Sequence, residues 1–207
     1  MYNFKKKKRS EKVRKILIAT RNNDKFKIVS KLLLTSNFKD YKFYSLNDIN
    51  ESVIEEKETG DVLNRSFKKA KNTYDSINKN YDYIIGVDDG IKMKDKIIEN
   101  VKEYIKPIIE DNFLSLNEEV YIVRAYTFIN KEGLSKSIIT EIPFRYIGLK
   151  KDFNILENSY PLSHVLSPIN NSKTVAELSS EETNLYYLKY SKNGYDEVEK
   201  YFKERNC

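Results

Sequence analysis

Two adjacent carboxylates, Asp88 and Asp89, close the apolar run at residues 81–89 and are followed by Gly90. Acids so placed can ligate a divalent cation, or one of them can take a proton from a water that attacks an electrophile. A second polar cluster, Thr20-Arg21-Asn22-Asn23-Asp24-Lys25, follows the apolar run at residues 16–19 and leads straight into a helical pattern. Here Asn22, Asn23 or Asp24 can cap the helix, its first-turn amides and dipole favour an anion, and Lys25 adds a charge that suits a phosphate. Taken singly, neither cluster is specific. An ordinary β–α connection explains the turn, and two aspartates can end a strand by accepting backbone amides.

The elements that must position these groups read as alternating strands and helices. Ile16, Leu17, Ile18 and Ala19 suit a strand buried on both faces, and Phe26, Ile28, Val29, Leu32 and Leu33 recur at helical spacing behind the turn. Residues 41–46 predict a second strand, and residues 47–60 an acidic connector. A helix from Asp61 follows, with Val62, Leu63, Phe67, Ala70 and Tyr74 as its apolar stripe and Lys68, Lys69 and Lys71 facing water. Residues 94–116 predict a helix that Pro107 kinks or splits. Residues 119–130 and 134–147 predict two antiparallel strands around a turn at 131–133. After a loop-rich stretch at 148–172, Ser179 and Glu182 form a capping box that opens a helix, and residues 193–205 supply a last one. The pattern favours an α/β fold with a mixed sheet.

Composition narrows the class. The chain has 207 residues, 33% of them charged, with 1 cysteine and 1 histidine, His164. Cysteine and histidine metal centres are thereby excluded, a reducing, cytoplasmic setting is expected, and a Ser-His-Asp hydrolase would have to use His164. No apolar run reaches membrane-spanning length, and none follows the N-terminal charges, so neither a membrane span nor a secretory signal is expected. The net charge of +6 is a local property: residues 1–15 hold eight Lys or Arg against one acid, and the remainder is close to neutral. Residues 1–14 accordingly read as a basic, flexible tail with at most weak attraction to nucleic acid, and residues 15–207 as a single domain.

Three segments together carry a resemblance. The 20–25 turn, Val87-Asp88-Asp89-Gly90, and Lys173-Thr174-Val175-Ala176-Glu177, in this order and spacing, resemble the inosine triphosphate pyrophosphatase family, which acts on deaminated purine nucleoside triphosphates. The resemblance implies a long mixed central sheet flanked by helices, in two lobes with a nucleotide cleft between them, and a homodimer. It implies that Thr20, Asn22, Asn23 and Lys25 hold the triphosphate, that Asp88 and Asp89 form the catalytic pair with Gly90 in a hydroxyl position, and that Asp89 also binds Mg2+. Lys173 lies in the segment before the helix that closes over the base. The expected reaction is magnesium-dependent hydrolysis of a nucleoside triphosphate to monophosphate and pyrophosphate.

Departures from the family cluster where the base is read. Tyr160-Pro161-Leu162-Ser163-His164 stands in place of Phe-Gly-Tyr-Asp-Pro, and the family's Ser-His-Arg is absent, with Lys189 at its Arg position. The second metal ligand aligns with Lys57, so Glu56 or Glu58 would have to supply it. A site without those groups has less to reject a different base, so altered specificity is expected. A nucleotide binder without turnover, or a scaffold on the same fold, are the alternatives. Tyr186, Tyr187 and Tyr190 read as core or dimer contacts, with stacking on a base as the sharper alternative.

Overall fold

The computed structural model describes residues 13–53, 59–77, 80–94, 96–99, 101–109, 113–149 and 161–205. Strand β1 (Arg14–Ile18) is apolar on both faces and runs into helix α1 (Asn23–Leu34), whose Val29, Leu32 and Leu33 are buried. The chain returns as β2 (Tyr41–Ser45), parallel to β1, with Ile16 opposite Phe43. Helix α2 (Val62–Ser76) precedes β3 (Tyr83–Met93), the strand that carries the acidic pair. Next come the short β4 (Lys96–Ile98), helix α3 (Val101–Ile109), and the hairpin of β5 (Glu119–Asn130) and β6 (Ser135–Tyr146). The hairpin turns at Gly133, whose φ of +84° is open to glycine at little cost. A short β7 (Leu166–Pro168) and the long helix α4 (Ser180–Arg205) finish the described chain.

These strands form one mixed sheet in the order β2-β1-β3-β5-β6-β7, with β4 also on β3. The expected α/β fold, a mixed sheet with helices on its faces, is what the chain adopts. Its two faces differ. Helix α2 covers one, over Leu17, Ile84 and the pair Val123 and Ala125. The other face carries the main core, where Ile16, Ile85, Val87, Ile91, Tyr126 and Phe128 meet the apolar stripes of α1 and α4. Aromatic contacts such as Phe38 on Phe128, 5.6 Å between centres, consolidate that side.

The pairing of β3 matters most for function. Its residues 83–92 pair with β5 along one edge, while on the other edge β1 pairs with residues 83–85 and β4 with residues 91–93. Residues 86–90 therefore face a gap between β1 and β4. The acidic pair lies at that gap, inside a strand that continues to Met93, and not at a strand end as residues 81–89 suggested.

Three other expectations change. Residues 94–116 are not one helix: the chain reverses at Lys94 (φ +47°), Lys96–Ile98 runs back along β3, and only Val101–Ile109 is helical, with Pro107 inside it. The isolated helical pattern could not register the open edge of β3, which is a tertiary partner. The terminal helices are one helix, because Gly194 does not break α4 but lets it approach β6; a Cβ there would lie 2.8 Å from Ile138 Cδ1. Helix α2 buries Val62, Arg65, Ser66, Ala70 and Thr73, and leaves Phe67 41% exposed, so its inward face is far more polar than the apolar stripe predicted.

Candidate active site

The turn between β1 and α1 is built as the side-chain chemistry requires. Asn22 is the cap: its Oδ1 accepts from the amides of Asp24 and Lys25, both at 2.9 Å, and its own amide donates to Thr20 Oγ1 at 3.1 Å. Two of the amides expected to face a ligand are thus engaged by the cap itself. Asn23 points sideways, where its Oδ1 accepts from Asn47 Nδ2 at 3.1 Å, and the same Asn47 amide donates to the Arg21 carbonyl. The turn is therefore tied to the segment after β2, and Lys25 is free of that lattice to project inward.

Lys25 meets Asp89. Its Nζ lies 3.0 Å from Asp89 Oδ2, and on the same face Arg124 Nε donates to Asp89 Oδ1. Arg124 stands directly across from Asp89 in the β3–β5 register, so an antiparallel pair places their side chains on one face. Asp88, one residue earlier, points to the opposite face by the alternation of the strand. There it is bound by Arg65, and by Lys69 Nζ at 2.6 Å, both from α2. Arg65 also spans the gap in the sheet, donating to the Glu99 carbonyl at 2.9 Å. The two acids are neighbours in sequence but serve separate clusters.

Burial decides how these clusters behave. The side chains of Asp88 and Arg65 are 7% and 8% exposed, that of Arg124 2% and that of Asp89 16%. Charges this deep persist only when paired, and here each carboxylate is held by two cations. Burial pushes the Asp89 carboxyl upward, but the Arg124 and Lys25 charges and hydrogen bonds outweigh it and hold the group well below the usual carboxylate range. A carboxyl lowered by folding stabilises the protein above its unfolded pKa of about 4, and that stability is lost as pH falls through the lower folded value. The stability difference between wild type and Asp89→Asn is therefore expected to be constant from about pH 8 to 5 and to shrink below about pH 4. Urea unfolding at both ends of the range would show it; a difference that grew on acidification would contradict the charged assignment.

A cleft of about 390 Å³ lies between α1, the β5–β6 hairpin and the start of α4, and Lys25, Asp89 and Arg124 are not among the residues that line it. Ile28, Ile122, Phe144 and Tyr187 give it apolar walls, and Asp24 and Asn184 add polar groups. One observation joins it to the Asp89 cluster: the Tyr187 ring, part of its wall, lies 5.5 Å from the Arg124 guanidinium carbon. Val175 and Ala176 border the same cleft, held by a capping box in which Glu177 accepts from the Thr174 amide at 2.7 Å. Tyr186 is a packing residue, its hydroxyl bonded to the Pro143 carbonyl and the Ile169 amide and its ring against Phe144.

Other predicted residues fall elsewhere. Gly90 faces α2, where a Cβ would come within 2.9 Å of Val62 Cγ1; its smallness serves packing on the side away from Asp89. Lys173 is exposed, with its amide donating to Asn171 Oδ1. Lys189 is exposed on α4, its ammonium 5.3 Å from the Tyr190 ring centre. Glu56 and Glu58 lie outside the described residues, as does Tyr160. Lys69, expected in water, is instead a ligand of Asp88.

Arg65 and Arg124 are the residues that sequence reasoning missed. The signal was present for Arg124: a lone arginine inside the apolar run 120–129 has to be buried, and a buried charge needs a partner. Arg65 shares a helical face with Val62 and Lys69, a weaker sign.

Among the described residues no three acidic, histidine or cysteine groups gather, and Asp88 and Asp89 face opposite sides of the sheet, each paired with two cations. Asp89 Oδ2 is buried and ion-paired with Lys25 but has no hydrogen-bond partner there, and Arg124 holds the other oxygen, so a cation on this carboxylate would have to displace Lys25 and sit beside a guanidinium. No described helix is long and apolar enough to cross a membrane.

No protein-family model matches the chain, and no curated protein does. Solved structures do. A nucleoside-triphosphatase, or dITP/XTP pyrophosphatase, from Mycobacterium abscessus superposes with a TM-score of 0.53 at 19% identity, covering 83% of this chain and 91% of that one. A HAM1 protein from Coxiella burnetii superposes with a TM-score of 0.58 at 14% identity, covering 85% and 92%. The mixed sheet with its acidic strand at a gap, the capped β1–α1 turn and the cleft beside them therefore belong to a chain with the fold of the HAM1 and dITP/XTP pyrophosphatase structures.

Proposed function

We propose that this protein hydrolyses a nucleoside triphosphate to a nucleoside monophosphate and pyrophosphate. The observation that carries the reading is the meeting of Lys25, from the capped turn, with Asp89, from β3, at 3.0 Å, with an open cleft on the far side of Tyr187 from Arg124. Lys25 is placed to exchange its carboxylate for a phosphate when nucleotide arrives, joined by the Thr20–Asn23 turn and the positive end of α1. Asp89, released on one oxygen, then orients a water and accepts its proton. The water oxygen bonds to the α-phosphorus, the bond to the bridging oxygen breaks, and pyrophosphate leaves with the electron pair. Asp88 acts from the other face, holding Lys69 and Arg65 at the gap. The base occupies the apolar cleft against Tyr187.

Magnesium enters this reading with the triphosphate as its counterion, and Glu56 and Glu58 are the acids proposed to meet it. Lys173 and Lys189 are proposed as outlying contacts to the nucleotide. The cleft's polar groups differ from those that read a 6-keto purine in the resembled family, which supports altered specificity toward ITP, XTP or another base. In this reading the protein works in the cytoplasm as a homodimer.

A second reading has its own support. The two cations on Asp89 neutralise the group that must act, which would suit a protein that binds nucleotide without turning it over. Pyrophosphate release, measured with magnesium across ITP, XTP and the common ribo- and deoxyribonucleoside triphosphates, separates the two. Turnover of at least one substrate is expected, with a loss of about 10³-fold or more in Asp89→Asn. Lys25→Met is expected to weaken nucleotide binding by about tenfold or more. Binding without turnover would establish the second reading, and unchanged turnover in Asp89→Asn would remove Asp89 from the mechanism.

A further inference from the structure

The two cations on Asp89 are not equivalent. Lys25 stands on the first turn of α1 with its side chain 15% exposed, on a flexible stem. Arg124 sits in the middle of β5 at 2% exposure, its guanidinium over the Tyr187 ring. Behind it lies a polar patch in the main core, where the Tyr195 hydroxyl, flanked by those of Tyr126 and Ser191, feels the Arg124 charge. Lys25 can leave Asp89 by rotating its stem, whereas Arg124 cannot leave without unpacking α4 from the sheet.

Resting on the nucleotide-hydrolysis reading, we propose that Arg124 is a positioning residue that occupies the role of a resident metal ion at Asp89. The free protein holds no divalent cation on this carboxylate, and when a triphosphate draws Lys25 away, Arg124 alone keeps Asp89 charge-balanced and aimed. The physical argument is electrostatic. A divalent cation on Asp89 Oδ2 would have to sit beside a guanidinium that is bonded to the other oxygen of the same carboxylate and cannot retreat. In a site this deep, repulsion between the two is weakly screened. Arginine, always protonated and planar, offers the fixed orientation that a lysine in its place would not.

The test is Mn2+ binding to the full chain without nucleotide, followed by the electron paramagnetic resonance of the free ion. Wild type and Asp89→Asn are expected to retain Mn2+ equally, because Asp89 takes none. Arg124→Ser is expected to retain it on the order of a hundredfold more tightly than wild type, by relief of like-charge repulsion. That gain should vanish in Arg124→Ser/Asp89→Asn, and Arg124→Lys, which keeps the charge on a stem that can retreat, should fall between wild type and Arg124→Ser. Mn2+ held by wild type and lost in Asp89→Asn would overturn the proposal, as would no gain in a folded Arg124→Ser. Should Arg124→Ser fail to fold, the comparison of wild type with Asp89→Asn still decides it: equal retention supports it, and loss specific to Asp89→Asn refutes it. The readout is independent of turnover. Absence of hydrolysis together with the expected Mn2+ pattern would defeat the enzymatic reading and leave the charge assignment standing.

Discussion

Gly86→Ala is expected to destabilise the protein by about 3 kcal/mol or more, a large share of the stability of a typical domain. A Cβ at this position would lie 1.9 Å from the Ser66 carbonyl oxygen and 2.7 Å from the Ala70 amide, both backbone atoms of α2. Backbone cannot rotate aside, so either the helix lifts from β3 or the strand bends away. Lifting α2 also withdraws Arg65 and Lys69 from Asp88, which adds the cost of a buried carboxylate losing its partners. Urea unfolding would measure the loss. Adding Ala70→Gly is a useful control, because it removes a methyl that is 3.0 Å away but leaves the carbonyl contact in place, so no rescue is expected. Rescue by Ala70→Gly, or a change within about 0.5 kcal/mol for Gly86→Ala alone, would show that α2 does not pack on β3 by direct backbone approach.

Arg65→Met is the second large effect, expected to cost about 3–5 kcal/mol. The guanidinium has three tasks: it pairs with Asp88, donates to the Glu99 carbonyl at 2.9 Å, and lies 3.5 Å from the Glu99 carboxylate. It thereby spans the gap left between β1 and β4 on the edge of β3, where no described strand pairs. Methionine fills much of the volume but leaves Asp88 with Lys69 alone and an acceptor without its donor. A double-mutant cycle separates charge from packing. If the loss is mainly an uncompensated carboxylate, Arg65→Met/Asp88→Asn should be appreciably more stable than the sum of the two single changes predicts. Strict additivity would mean that Arg65 acts by filling the gap and not by balancing Asp88.

On the proposed hydrolysis, both effects would act through geometry. Gly86 and Arg65 fix α2 against the face of β3 opposite Asp89, and so set the twist of the strand at the point where Asp89 meets Lys25. A folded Arg65 variant with weakened turnover but unchanged nucleotide binding would locate that influence in Asp89 placement.

Much of this arrangement was determined by the sequence alone, wherever the deciding forces are local. The buried β1 run, a side-chain cap within residues 22–24, the helical stripe of α1, the β5–β6 hairpin with its glycine turn and the Ser179–Glu182 box all depend on residues within a few positions of one another, and the structure selects Asn22 as the cap. The spaced motifs that suggested the fold are equally linear, and the sheet order and fold likeness agree with them. Tertiary structure decided the rest. Whether the acidic pair ends a strand depends on β4 and β5, which are distant partners that extend β3 past Gly90. Which cations surround each carboxylate depends on alternation across the sheet, which sends Asp88 to α2 and Asp89 to α1 and β5. Lysines on a helix look alike in sequence, and only packing distinguished Lys69, bound to Asp88, from Lys71, bound to Asp75 at the surface. Arg124 shows the same division most plainly: the sequence determines that an arginine lies in a buried strand, but only the β3–β5 register determines that its partner is Asp89, because charge must be balanced where the fold buries it.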